Sequence, residues 1–358
     1  MLSPQPWIGL QVSKHHYARE AAALGHDVIF ANPPGGAPRV TLSPSGLDNI
    51  TLLDHPVMPL RRAKFHARWL FDRAAKGRAK AIVSATGPID LLWDFDNSGQ
   101  FADHRAFGAR RSILHAMDRA DEGVRHGRRA DLILGVAATL IDSLPPSETP
   151  RHVVPHGLAP RFAELARARL AQSDAPVDKG EIRIGFLGNL TPPWMDRPRL
   201  MALIEANPRL HFRFIGPQQD ASAEQRAWVD RLRALPNVEL AGLKTGEALV
   251  EAMLDVQIWL LCYDRDLDPN KGVNSHKLLE YFATGGEVVS THIVAQADAP
   301  GIFMAPAEAP EQLAALLSDA VQAVRDARDT GWRRRAELAL ANSYTANFRQ
   351  IAAYISAL

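Results

Sequence analysis

The sequence predicts an α/β fold made of two doubly wound, parallel-sheet domains, and three observations carry that prediction. Short buried runs rich in Val, Ile and Leu alternate with longer helical patterns along the whole chain. The composition shifts after Pro160, where Gln172 to Gly180 is polar and unpatterned like a linker. A length of 358 residues, 46% of them hydrophobic, suffices for two cores of ordinary size.

Met1, Leu2 and Ser3 stand directly before Pro4, which leaves almost no room for a first strand; either that strand is very short or the true start lies upstream. From Lys14 to Leu24 small and apolar residues fall at helical spacing, and Gly25-His26 ends the helix before a strand from Asp27 to Ala31. A loop rich in Pro and Gly leads to a short strand from Ile50 to Leu53. Leu60 to Lys80 reads as a long basic helix and Ala81 to Ala85 as a small-residue buried strand. Leu91 to Asp94 is a strand, Phe107 to Arg128 a long helical region, and Asp131 to Val136 and Arg151 to Val154 are further strands.

Arg161 to Arg169 reads as helical ahead of the polar stretch. Strands are then expected at Ile182 to Phe186, His211 to Ile215, Val238 to Leu240, Val256 to Leu261 and Val288 to Ser290. Helices at Arg197 to Glu205, Glu224 to Leu235, Gly246 to Met253 and Ser275 to Thr284 lie between them. Gln312 to Leu340 is helical and charged, and Ala346 to Leu358 has apolar residues at helical spacing. The expected division is a first Rossmann-like domain over 1–163 with a truncated first strand, a linker over 164–180, a second domain over 181–344 and a final helix over 345–358. No internal repeat is visible.

Composition excludes several function classes. A formal net charge of +1 argues against a nucleic-acid binder held by bulk charge. The single cysteine, Cys262, excludes an internal disulfide and suits a reducing cytoplasm. No run of about eighteen apolar residues is present to span a membrane, and no secretory leader is visible. A nicotinamide dehydrogenase is disfavoured because no Gly-X-Gly-X-X-Gly fingerprint follows an early strand.

The most informative stretch runs from Asn274 to Thr291. Asn274, Ser275 and His276 open a helix, and Lys277 and Glu280 stand three apart on one face, so an ammonium and a carboxylate can reach one ligand near the helix start. A diphosphate seeks free backbone N–H groups and a lysine, and ribose hydroxyls seek a carboxylate. An amphipathic helix with a surface ion pair would show the same Lys/Glu pair; the order of the stretch adds more. A small residue, a lysine, a Glu-Tyr pair, the Gly285-Gly286 turn and the Val288-Val289 strand follow one another as in the donor-binding helix of GT-B glycosyltransferases, which this stretch resembles. Ser275 to Phe282 looks closer to the membrane-associated, inverting glucuronosyltransferases of exopolysaccharide assembly, and Trp194-Met195-Asp196 resembles a subgroup involved in cell-surface polysaccharide synthesis.

The resemblance implies the GT-B architecture, in which two Rossmann-like domains face a cleft, 1–163 on the acceptor side and 181–344 on the donor side, with the last helix crossing back to the first domain. It also implies a metal-independent transferase without cofactor. Its substrate would be a UDP- or GDP-linked sugar, and its acceptor a glycan or lipid-linked hydroxyl. Gly188 and Asn189 would end the strand that cradles the diphosphate; Gly216, Pro217 and Leu243 would line the base pocket; Lys277 and Glu280 would grip phosphate and ribose. A plain strand-to-helix turn is the other reading of Gly188-Asn189. Where relatives carry Arg and Lys after this glycine, Asn189 and Trp194 stand here, with Arg197 or Arg199 as substitutes. Gly272 replaces a glutamate common in the family, which leaves the stereochemistry open. A catalytically silent nucleotide-sugar-binding protein and a nucleotide-sugar epimerase are the alternatives.

In the first domain Trp93 to Gly99 ends a strand in two carboxylates, and in inverting relatives an Asp followed closely by Gly supplies the base, so Asp96 is the candidate. The other reading is a turn in which Asp96 or Asn97 accepts backbone N–H bonds. Gly9, His15, His16 and His104 are the candidates for the acceptor side, although a lone histidine is commonly structural. His15 and His16 are adjacent on a helix and diverge, so they share no metal.

Eight Lys and Arg residues, Arg61, Arg62, Lys64, Arg68, Arg73, Lys76, Arg78 and Lys80, stand among Phe65, Trp69, Leu70 and Phe71. Residues 61–80 therefore read either as a membrane-surface helix that meets anionic lipid or as a solvated basic helix with its apolar stripe in the core. The first reading places the enzyme peripherally on the cytoplasmic face of a membrane.

Overall fold

The computed structural model describes residues 1–9, 11–118, 129–171, 181–218, 222–267, 276–293, 301–328 and 330–358. The chain divides into two compact units, Met1–His156 with Tyr344–Leu358, and Gly157–Ser343.

In the first unit helix α1 (Ser13–Ala23) leads to strand β1 (Val28–Ala31) and then to β2 (Thr41–Pro44) and β3 (Ile50–Asp54). β1 and β3 are parallel, and β2 pairs with β3 antiparallel. A parallel sheet follows, in the order β4 (Leu91–Asp94), β5 (Arg111–Ala116), β6 (Leu132–Gly135) and β7 (Arg151–Val153). Leu2 joins the two sheets. It bridges Ala31 and Asp94 in parallel, with its N–H donating to Trp93 O and its carbonyl accepting from Phe95 N. The first three residues thus supply a short ladder between β1 and β4.

After the single turn α2 (Ala63–His66), which has no buried residue, helix α3 (Arg68–Thr86) covers one face. Phe71, Ala75, Ala79 and Ile82 of α3 pack on Leu2, Leu53 and Leu92. The 3.6-residue spacing continues to Ile82, so the strand expected over 81–85 is the last turn of α3. The helix expected from Phe107 to Arg128 gives way to β5. Ser112, Ile113, Leu114, His115 and Ala116 are all buried, and a strand covered on both faces loses the alternation that would distinguish it from a helix; residues 119–128 lie outside the described ones. Helix α4 (Ala138–Asp142) lies between β6 and β7.

The second unit opens with α5 (Pro160–Leu170), whose Phe162, Ala163, Leu165 and Ala166 are buried in that unit's core, so the stretch expected as a linker over 164–180 begins inside the second unit, and its 172–180 lies outside the described residues. Its sheet is wholly parallel. The strands are β8 (Arg183–Leu187), β9 (His211–Ile215), β10 (Val238–Gly242), β11 (Ile258–Leu261), β12 (Glu287–Ser290) and β13 (Ile302–Met304), in the order β10-β9-β8-β11-β12-β13. The connecting helices are α6 (Arg197–Ala206), α7 (Ala223–Arg233), α8 (Gly246–Leu254) and α9 (His276–Thr284). The order reverses between β8 and β11, and the carboxyl ends of those two strands are where a doubly wound sheet opens a ligand crevice.

Beyond β13, α10 (Leu313–Arg325) and α11 (Trp332–Ala341) divide the helical stretch expected over 312–340, with Gly331 at φ 85° starting α11. The last helix, α12 (Tyr344–Ser356), belongs to the first unit. Tyr344 Oη donates to Ser13 Oγ at 2.9 Å, Asn347 Nδ2 to Pro155 O at 2.8 Å, and Tyr354 stacks on His152 at 3.8 Å.

Candidate functional site

In the second unit three neighbouring strands end in glycine at the same level. Gly188 N donates to Ile215 O and Gly216 N to Gly242 O, so the ladder continues past β8, β9 and β10. Gly216 has φ 155° and lies so close to Gly188 that a β-carbon there would stand 2.0 Å from Gly188 O. Gly188 has φ 134°, and its missing β-carbon leaves room for Lys277, whose Nζ and Cε come within 2.6 Å of where that carbon would be. Glycine is required at both positions, for backbone conformation and for space.

Helix α9 carries Lys277 to this point because its other residues are fixed. Tyr281 Oη accepts from Leu187 N at 2.9 Å, which pins α9 to the end of β8. The Tyr281 ring stacks on Trp259 at 4.4 Å, and Trp259 Nε1 donates to Thr284 Oγ1 at 2.9 Å. Lys277 Nζ donates to Tyr263 Oη at 2.5 Å, and lies 4.8 Å from the centre of the Phe186 ring. One ammonium therefore stands at the ends of both β8 and β11, held partly by aromatic faces.

One turn on, Glu280 is half-buried, and the surrounding protein pushes its carboxyl up to about 7, against the opposing pull of Lys277 and Arg161. Leu243 follows Gly242 and is 65% exposed, an apolar side chain with nothing yet covering it. Asn274, Ser275 and Gly272 lie outside the described residues, and His276 is the first residue of α9.

Asn189 closes a turn. Its Oδ1 accepts from Thr191 N at 3.0 Å and Thr191 Oγ1 at 2.8 Å. Arg197 donates to Thr191 O at 3.0 Å and to Glu224 at 2.7 Å, and Arg199 pairs with Asp196. Both guanidinium groups expected to stand in for the loop cations are thus engaged in holding the loop.

In the first unit Asp94 and Asp96 end β4 as a nested pair of turns. Asp94 Oδ1 accepts from Asp96 N at 2.8 Å and its Oδ2 contacts His104 Nε2 at 2.9 Å. Asp96 accepts from Ser98 N at 2.8 Å, Ser98 Oγ at 2.9 Å and Gln100 N at 3.4 Å, so the turn reading of this carboxylate describes its geometry. His104 is buried against Asp94, which makes it a clamp of the strand end and no surface for an acceptor. His15 is fully buried. Its Nδ1 accepts from Val12 N at 3.1 Å, its Nε2 contacts Pro6 O at 2.9 Å, and its ring stacks on Phe30, so it too is structural. His16 stacks on Tyr344 at 4.6 Å, while Gly9 is exposed at φ 123°.

Lys14 is buried among these strand ends, bonded to Gln5, and burial lowers its ammonium to about 8, with Asp118 and Asp96 opposing. His115 is enclosed by Tyr17, Trp93 and Phe95, and burial pushes it down to about 3. Sequence reading passed over Tyr263 and His115: one follows a strand end, the other sits in a strand read as helix.

Solved structures with the same chain path agree along nearly the full length. An α,α-trehalose-phosphate synthase (UDP-forming) from Burkholderia vietnamiensis superposes with a TM-score of 0.68 at 13% identity, covering 100% of this chain and 99% of that one. The fold is GT-B. Two further GT-B structures are similar. The sucrose-phosphate synthase of Thermosynechococcus elongatus has a TM-score of 0.66 at 14% identity over 99% and 97% of the two chains. HepE of Anabaena, solved with UDP and glucose, has 0.66 at 13% over 100% and 98%. No family model and no curated protein matches the sequence. In the GT-B frame β8 to β13 with α9 form the second Rossmann-like unit, and α12 is the helix that returns to the first.

Proposed function

We propose that this chain is a glycosyltransferase that takes a sugar from a UDP- or GDP-linked donor and passes it to a hydroxyl of a glycan or lipid-linked acceptor, in cell-surface polysaccharide synthesis. The observation that carries the reading is Lys277. Its ammonium lies against Gly188 at the point where the strand order reverses, beside the start of α9. An anion there meets a cation, a glycine-bared backbone and a helix N-terminus together. The trehalose-phosphate synthase of Burkholderia vietnamiensis is named UDP-forming, and HepE was solved with UDP and glucose, which supports a uridine diphosphate as the leaving group.

In this reading the acceptor oxygen attacks the anomeric carbon as the bond to the diphosphate breaks. Lys277 and the first N–H groups of α9 stabilise the negative charge that develops on the departing phosphates. The Glu280 carboxylate accepts a ribose or sugar hydroxyl. Asp96 is the candidate to receive the acceptor proton, oriented by Ser98 and Gln100. The protein would work in the cytoplasm. Among the described residues no helix is long and apolar enough to cross a membrane.

A thermal-shift panel of UDP- and GDP-sugars tests the donor. A donor bound only by the folded state raises the melting temperature, and a flat response to every nucleotide sugar would remove the proposal. Release of nucleoside diphosphate then separates a transferase from a silent binder, a reading favoured by the loop in which Arg197 and Arg199 are already engaged. Asp96→Asn should bind donor normally and lose transfer; full retained turnover would exclude Asp96 as the base.

A further inference from the structure

The helical segment over 60–80 divides its side chains in a way that the core does not require. Phe71, Ala75, Ala79 and Ile82 point inward and account for the packing of α3. Three large apolar side chains remain outside: Leu60 is 50% exposed, Phe65 65% and Trp69 72%. Leu60 also holds a left-handed backbone at φ 57°, a conformation that a leucine rarely adopts. The cations share that exposure. Arg61, Arg62, Arg73, Lys76 and Lys80 are exposed, and Trp69, Arg73, Lys76 and Lys80 succeed one another at i, i+4, i+7 and i+11 along one face of α3.

The charge is one-sided. Between Leu60 and Lys80 eight basic residues accompany a single acid, Asp72, which is bound to Arg68 at 2.8 Å, and Lys76 meets Asp103 at 3.5 Å, whereas the whole chain sums to +1. Soluble surfaces ordinarily interleave the two signs and keep Trp and Phe covered.

We propose that this face docks on the surface of an anionic bilayer, with Leu60, Phe65 and Trp69 entering the headgroup region and Arg61, Arg62, Arg73 and Lys80 meeting lipid phosphates. Charge complementarity selects the partner's sign. The grouping of apolar side chains at one end, beside the break between α2 and α3 at Ala67, selects a surface that can be entered, since a duplex nucleic acid offers phosphates but no apolar layer for a leucine. Docking through this face does not depend on which donor the second unit binds.

Co-sedimentation of the full chain with phosphatidylcholine vesicles, with and without phosphatidylglycerol, is the test. Binding should require phosphatidylglycerol and fade at about 0.5 M salt, because surface attraction is screened within a few ångströms there. Arg61→Glu, Arg62→Glu, Arg73→Glu and Lys80→Glu combined should lower partitioning at least about tenfold. Phe65→Ser with Trp69→Ser should lower it comparably while leaving donor-induced thermal shifts unchanged. Trp69→Phe should keep binding yet reduce fluorescence quenching by brominated lipid. Equal sedimentation with both vesicle types, undiminished binding of the Ser variants, or retention by duplex DNA with none by vesicles would each overturn the proposal.

Discussion

Lys277 Nζ occupies the space that a side chain on Gly188 would need, 2.6 Å from the position of its absent β-carbon. A residue at the end of β8 and a residue in the first turn of α9 are therefore a single device. Gly188→Ala should displace the lysine and mimic much of the effect of Lys277→Ala. For Lys277→Ala the loss of charge-assisted contacts predicts donor or nucleoside diphosphate binding weaker by about 10- to 100-fold, read by calorimetry. Unchanged affinity in Lys277→Ala would disconnect this ammonium from the donor.

Gly216→Ala tests the neighbouring strand end. Its new β-carbon would collide with Gly188 O, and relief requires β9 to move away from β8. A destabilisation of about 1–3 kcal/mol is expected in urea unfolding, together with weaker donor binding. Stability and affinity both equal to the parent's would show that the strand ends are not in contact in solution.

The carboxyl of Glu280 gives a pH dependence with a definite sign. Its pKa in the folded chain is raised from 4.5 to about 7, so the folded state holds more protons than the unfolded state between those values. Stability contributed by this group is therefore lost as pH rises through that window. Donor affinity should run the opposite way and improve as pH passes about 7, because only the ionised carboxylate is a pure acceptor for hydroxyls. Glu280→Gln should flatten both profiles; an unchanged stability profile would assign the slope to another group.

Arg335 is fully buried in the second unit, donates to Glu287 at 3.1 Å and also reaches the carbonyls of Gly301 and Thr330 at 3.0 Å. Arg335→Ala leaves Glu287 and those carbonyls without that donor, so a loss of about 3–5 kcal/mol is expected by denaturant titration. Glu287→Gln should recover part of it in the double variant. A cost under about 1 kcal/mol would mean that water replaces the guanidinium.

The strands β8, β9, β10, β11 and β12 were readable because short runs with Val, Ile, Leu or Phe stand between turn residues, with Gly188, Gly216, Lys277 and Glu280 in or beside those signals, whereas the three-residue β13 (Ile302–Met304) was missed. His15 and His104 were misread as acceptor contacts because a histidine's identity does not say whether it faces solvent; here Pro6 and Asp94 satisfy them inside the fold. The strand over 111–116 was missed because full burial removes the alternation by which strands announce themselves.

Two α/β halves and the residues of the Lys277 helix could be read along the chain, since periodicity and turn chemistry are local properties that survive without the rest of the chain. Tertiary structure decided which of those residues share a place. The order β10-β9-β8-β11-β12-β13 sets Lys277 against Gly188 across 89 positions of sequence, and Leu2 becomes a strand only because β1 and β4 stand on either side of it. Hydrogen-bond pairing between distant segments is not encoded in any window short enough to be read along the chain.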